Sequence, residues 1–163
     1  MTLLACTCTR RRALRSIGLL ATGALAILFP IAFSTGAEAR TPLPDILQPA
    51  TPSPEAFMSR AFEMRRLSVE RGDQAYGAIV VRAGRIVGEG VSAVITSNDP
   101  TAHAEMQSLR DAQRRLGTSD LSGCELFGTS RACPMCEAAA FRARIARMFH
   151  GEAIADAGAP RAP

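Results

Sequence analysis

The chain has 163 residues, 47 % of them hydrophobic and 21 % charged, a size and balance that suit one globular domain. Its formal charge of +4 is carried unevenly: four arginines and one glutamate lie in residues 1–39, so the remainder holds 15 basic against 14 acidic residues, a net +1. The basic character thus belongs to the N-terminus and gives little support to a nucleic-acid-binding surface, so nucleic acid is not an expected partner.

Residues 1–39 read as an export signal. A basic run from Thr9 to Arg15 precedes a stretch without charge from Ile17 to Phe33, and Ala37 to Ala39 supply small residues for cleavage before Arg40. The paired arginines Arg10 and Arg11 resemble a twin-arginine signal, a route that carries folded proteins. The apolar stretch barely reaches across a bilayer, and Gly23 and Pro30 weaken it as a helix. The expected localisation is periplasmic, with no membrane partner after cleavage; an uncleaved anchor and a cytoplasmic protein are the alternatives. Cys6 and Cys8 fall within the leader, which leaves Cys124, Cys133 and Cys136. That is too few for a disulfide scaffold. In an oxidising compartment, close thiols need either a bridge or a metal, and zinc-bound thiolate is redox-inert while the ion stays.

Residues 40–53 are proline-rich and read as an irregular linker. Ser53 as N-cap and Pro54 as first helical residue then predict a helix to about Arg71. Phe57, Met58, Ala61, Phe62, Met64 and Leu67 form its buried stripe. From Tyr76 the pattern predicts two strands about a tight Ala83-Gly84 turn, with Ile79, Val80, Val81, Ile86 and Val87 in the core. A second helix is expected from Pro100 or Thr101 to about Leu116, capped by Asp99. A short strand beginning at Cys124, a third helix from near Cys133-Pro134 to about Arg144, and a strand over Ile145–Phe149 follow. After Gly151 the expectation is at most a helical turn, then a loose tail at 159–163. Helix, hairpin, helix, strand, helix, strand describes a mixed sheet faced by helices, with the strands that flank the third helix parallel.

Cys133 and Cys136 have the spacing that lets two sulfurs share one ion at a helix start, where exposed backbone N–H groups favour thiolate. A catalytic zinc site needs a third protein ligand and keeps its fourth position for water. Only His103 and His150 are available outside the leader. His103 is preferred because Glu105 stands two residues on, where a carboxylate can take a proton from a zinc-activated water without ligating the metal. His150, beside a glycine at a strand end, reads as a surface or pocket-rim residue. Taken singly, His103 would be a partly buried helix residue, the cysteines a structural or redox pair, and Glu105 a solvated charge. Together and in this order they nearly meet the H-x-E, P-C-x-x-C pattern of zinc deaminases acting on bases.

At "GAIVVRAGRIVGEG", "TSNDPTAHAEM" and "CPMC" the sequence resembles the cytidine-deaminase-like superfamily, in the branch of bacterial guanine deaminases and tRNA adenosine deaminases. The likeness covers roughly residues 54–158 and implies a three-layer α/β/α fold with a five-stranded mixed sheet, shortened at its C-terminus. It implies a Zn2+ cofactor held by His103, Cys133 and Cys136, with Glu105 as the catalytic proton shuttle, in a homodimer. The substrate would be a free purine base, guanine by the "TSNDPTAHAE" likeness; a tRNA adenosine deaminase and a non-catalytic zinc-binding member are the alternatives. The substrate contacts it implies are Tyr76, Ser92, Ala102, Arg131 and Ala132. Three of these depart from the family pattern: Ser92 replaces an asparagine, and Arg131-Ala132 replaces Glu-Pro before the first zinc cysteine. A serine cannot make the two-point contact of an amide.

Overall fold

A computed structural model describes residues 44–162. The expected export leader lies outside the described residues. Among them, no helix is long and apolar enough to cross a membrane.

The elements run α1 (Pro54–Glu70), β1 (Gly77–Arg82), β2 (Arg85–Val91), α2 (Ala104–Leu116), β3 (Cys124–Gly128), α3 (Pro134–Arg142), β4 (Arg147–His150) and β5 (Ala155–Gly158). The strands form one sheet in the order β2-β1-β3-β4-β5. β1 is antiparallel to both β2 and β3, and β3 is parallel to β4, as the intervening α3 requires. In the tight turn of the β1–β2 hairpin both Ala83 and Gly84 have positive φ, 49° and 74°, the twist that joins adjacent antiparallel strands.

Alternation along the central strands builds the three layers. Ile79 and Val81 of β1 and Phe127 of β3 face Phe57, Met58, Ala61 and Met64 of α1. Ala78, Val80 and Leu126 face the opposite way, toward Ala104, Leu109 and Ala112 of α2 and Ala140 of α3. With both faces covered, β1 is buried from Gly77 to Val81, and its sequence is a continuous apolar run rather than an alternating one. Phe127 packs against Phe57 at 5.6 Å between ring centroids and stacks on Phe149 at 4.8 Å. Burial of a side chain of this size contributes about 1.5–3 kcal/mol.

Ser53 caps α1 by accepting a hydrogen bond from the Ala56 amide, with Pro54 in the first turn as expected. The described part of the linker has no helix or strand, yet it is tied down. The Gln48 side chain accepts from the Ile86 amide and donates to its carbonyl, which occupies part of the exposed edge of β2. Asp73, just past α1, accepts from the Gln74, Ile95 and Thr96 amides and from the Ser92 and Thr96 hydroxyls. Burial pushes this carboxyl up, but the donors outweigh it and hold the group far below the ordinary carboxylate range.

Two expectations are corrected. α2 begins at Ala104 rather than at Pro100 or Thr101, because the Asp99 side chain is spent on the Thr101 amide and hydroxyl, which closes a separate turn before the helix. The segment after Gly151 is neither a helical turn nor loose. It turns through Gly151 and Ile154, both at positive φ, and returns as β5, antiparallel to β4. Its far end is held by Arg161, whose backbone amide and guanidinium donate to the Glu137 carboxylate of α3.

The position of α2 is set by two glycines on β2. A Cβ at Gly90 would lie 2.1 Å from the Ala104 carbonyl oxygen, and one at Gly88 would lie 2.5 Å from that of Ser108. The helix therefore rests on bare strand backbone. Gly90→Ala is expected to destabilise the fold by about 1–3 kcal/mol in denaturant unfolding and to weaken metal retention, because Ala104 sits between His103 and Glu105. Unchanged stability would show that α2 is not seated in this way.

Candidate active site

The early end of the turn before α2 makes the site possible. His103 occupies the N-cap position in an extended conformation, φ −62° and ψ 154°, and its side chain caps nothing. Cys133 holds the equivalent position on α3, with φ −72° and ψ 166°, and Pro134 follows it as first helical residue. Two helix N-termini thus meet at one place, each presenting unpaired amides and a positive dipole end that favour anionic groups.

His103 Nδ1 lies 3.6 Å from the Sγ of Cys133 and 3.6 Å from that of Cys136. The three donor atoms all fall within 4.8 Å of one another. A tetrahedral zinc about 2.0 Å from nitrogen and about 2.3 Å from sulfur separates such donors by about 3.6 Å. One imidazole and two thiols at this spacing fit zinc and leave its fourth position to solvent or substrate. His150 is not one of these donors; its Nδ1 is 3.0 Å from the Ala155 carbonyl oxygen, at the β4–β5 turn, and it lines a small cavity that also borders Glu105.

Glu105 lies beside the ligands, with Oε2 3.7 Å from the Cys136 sulfur. It is 6 % exposed. Burial raises its carboxyl above the usual value, against the opposing pull of its own backbone hydrogen bond, the His103 charge and the Cys136 thiol. Burial also pushes the Cys136 thiol up, and the neighbouring Glu105 charge adds to this. A coordinated metal reverses that preference, because a coordinating thiol is deprotonated outright.

An open cleft of about 650 Å³ leads to these residues; His103, Glu105, Cys133, Tyr76 and Arg131 are among its walls. Behind Glu105 a narrow cavity of about 20 Å³, room for about one water, is lined by Arg131, Ala132, Phe149, Ala157 and Arg161. Tyr76 and Arg131 thus line the cleft, and Arg131 and Ala132 the cavity. Of the residues the resemblance implies as substrate contacts, Ser92 and Ala102 line neither. Each is 1 % exposed. The Ser92 hydroxyl is donated to Asp73 at 2.7 Å, and Ala102 is tied by its backbone to Ala93 and Asp99. Sequence reasoning missed Arg65, Gln74 and Ser130 on the cleft wall. It also missed Gly128, where a Cβ would come 3.8 Å from Glu105 Oε1. A glycine closing a buried strand was the available signal for that last position.

A family model, the cytidine and deoxycytidylate deaminase zinc-binding region, matches residues 52–152. The chain belongs to this family of zinc-dependent deaminases, hydrolases acting on C–N bonds. It is 39 % identical over 104 residues to guanine deaminase of Bacillus subtilis (strain 168), a match covering 63 % of this chain and 67 % of that one. It is also 39 % identical over 95 residues to tRNA-specific adenosine deaminase of Aquifex aeolicus (strain VF5), covering 58 % of this chain and 63 % of the relative. The X-ray structure of the B. subtilis guanine deaminase superposes with a TM-score of 0.58 at 40 % identity, over 60 % of this chain and 62 % of that one. The chain thus spans about two thirds of its relatives' length or slightly less. The likeness also agrees with the α/β fold and mixed sheet expected from sequence.

Purified protein is expected to bind about one zinc per chain, and Cys133→Ala to lose both the metal and thermal stability, since binding free energy at such sites is folding free energy. Zinc retained at full stoichiometry in Cys133→Ala would contradict the ligand set.

Proposed function

We propose that the protein hydrolyses the exocyclic amine of a purine to a carbonyl and releases ammonia, with guanine as the first-choice base. The observation that carries this reading is the convergence of His103, Cys133 and Cys136 with the buried Glu105 at the floor of an open cleft. The guanine assignment is supported by the "TSNDPTAHAE" likeness and by the 39 % identity to a guanine deaminase.

His103, Cys133 and Cys136 would hold the zinc, and Glu105 would be the catalytic proton carrier. Zinc bound by such residues supplies Lewis acidity, which lowers the pKa of water toward neutrality. Glu105 accepts a proton from the attacking water and passes it to the departing amine, so that water and amine become carbonyl and ammonia. Tyr76 provides an aromatic wall at the cleft and is 43 % exposed. Deamination of adenosine in tRNA is the second reading, favoured by the A. aeolicus relative and opposed by the near-neutral charge beyond residue 39.

Ammonia release from guanine, adenine, cytosine, their nucleosides, pterins and a tRNA anticodon stem-loop tests this proposal directly. Zinc-loaded wild type is expected to turn over guanine. Glu105→Ala is expected to keep its zinc and lose about two to four orders of magnitude in rate. Release from the stem-loop alone would establish the second reading, and release from none by fully loaded protein would leave a non-catalytic zinc-binding member of the fold.

A further inference from the structure

The basic and acidic side chains that line the cleft include Arg65, Arg131, His103 and Glu105. His103 belongs to the metal site, and Glu105 is buried at the floor. The two arginines are exposed and come from different parts of the chain, Arg65 from α1 and Arg131 from the loop that precedes Cys133. Among the described residues neither takes part in an ion pair, although eight pairs engage other arginines. The Arg65 guanidinium lies 5.7 Å from the centroid of the Phe62 ring, a contact that uses the cation's face and no carboxylate.

The carboxylate that could neutralise Arg131 is already engaged. Glu137 feels the Arg131 charge, yet its oxygens accept three hydrogen bonds from Arg161, one from the backbone amide and two from the guanidinium. The C-terminal segment therefore takes up the Glu137 oxygens, and Arg131, which lines both the open cleft and the inner cavity, has no ion-pair partner among the described residues. With Arg65 on the α1 side, the cleft carries two fixed positive charges around a volume that suits a ligand larger than a bare base.

We infer that Arg65 and Arg131 form an anion-reading rim, and that the cleft favours an amine-bearing purine carrying a phosphomonoester over the same purine without charge. This rests on the purine deaminase reading for the identity of the ring and goes beyond it in assigning the anionic substituent. Guanidinium groups suit the role because their planar donors pair two-pronged with phosphate oxygens and keep their charge at all working pH. The base would enter toward Glu105 with its phosphate on Arg65 and Arg131, so the two arginines act on binding and leave the proton transfer to Glu105.

The test measures binding rather than turnover. Titration calorimetry of zinc-loaded Glu105→Ala with guanosine and with guanosine 5′-monophosphate gives a ratio of affinities. That ratio is expected to be at least about tenfold in favour of the monophosphate at low salt and to shrink as ionic strength rises. Adding Arg131→Gln or Arg65→Gln should each lower the ratio, and the two together should bring it near unity with zinc content unchanged. A ratio near one in the parent protein, or one that survives the double arginine substitution, overturns the rim. Inorganic phosphate competing with the monophosphate but not with guanosine would support a phosphate subsite. An anticodon stem-loop binding far more tightly than the monophosphate, with a dependence on the same arginines, would assign the rim to RNA and overturn the nucleotide proposal. The outcome is separable from the deaminase reading: absence of ammonia release sinks that reading without touching the affinity ratio, and a ratio of one leaves turnover of free guanine intact.

Discussion

The close seating of α2 on β2 is the constraint from which the rest of the site follows. Gly88 and Gly90 carry no side chain on the face that meets the helix, so the backbones of Ala104 and Ser108 approach to a distance that a single methyl would prevent. β2 lies at the sheet edge and would otherwise present unpaired amides. Asp111 of the same helix accepts from the Glu89 amide at 3.1 Å, which ties the helix to that edge. With α2 fixed along the strand, its N-terminus can only arrive near the C-terminal end of β3, where the chain turns into α3. His103 and the two cysteines meet there because both helices start at that point.

Local backbone conformation then converts proximity into a ligand set. His103 and Cys133 are each extended residues at a helix start, which points both side chains across the gap between the helices rather than along a helix face. Asp73 stabilises the approach to this arrangement from a distance. By gathering donors from residues 92–96 it fixes the loop that leads into the turn at Asp99. Ser92 is therefore a strut of that loop. Its short side chain reaches Asp73 and not the cleft, so the substitution read from the sequence as a lost substrate contact has a structural use here.

Much of the fold was legible because each local signal agreed with the global pattern. Ser53-Pro54 marked the start of α1, Ala83-Gly84 marked the hairpin, and the apolar run at 78–81 marked a strand covered on both faces. The candidate ligands were legible for a different reason: zinc demands a few residue types, and residues 40–163 offer only two histidines and three cysteines. What failed to show depended on contacts distant in sequence. Asp99 looks like a helix cap until its side chain is seen closing the turn at Thr101. β5, Ala-Asp-Ala-Gly, has the composition of a tail and forms a strand because β4 offers it an open edge and Glu137 holds Arg161. Arg65 is one of three arginines on α1, and only the fold brings it to the cleft that Arg131 also lines.

The central claim is that His103, Cys133 and Cys136 form a three-ligand zinc centre that leaves one position for chemistry. X-ray absorption at the zinc edge of the purified wild-type protein measures this most directly. The account predicts two sulfur neighbours at about 2.3 Å and two nitrogen or oxygen neighbours at about 2.0 Å, with one of the light neighbours replaced when a substrate-like ligand binds. A shell with four protein donors, or one with fewer than two sulfurs, would contradict it.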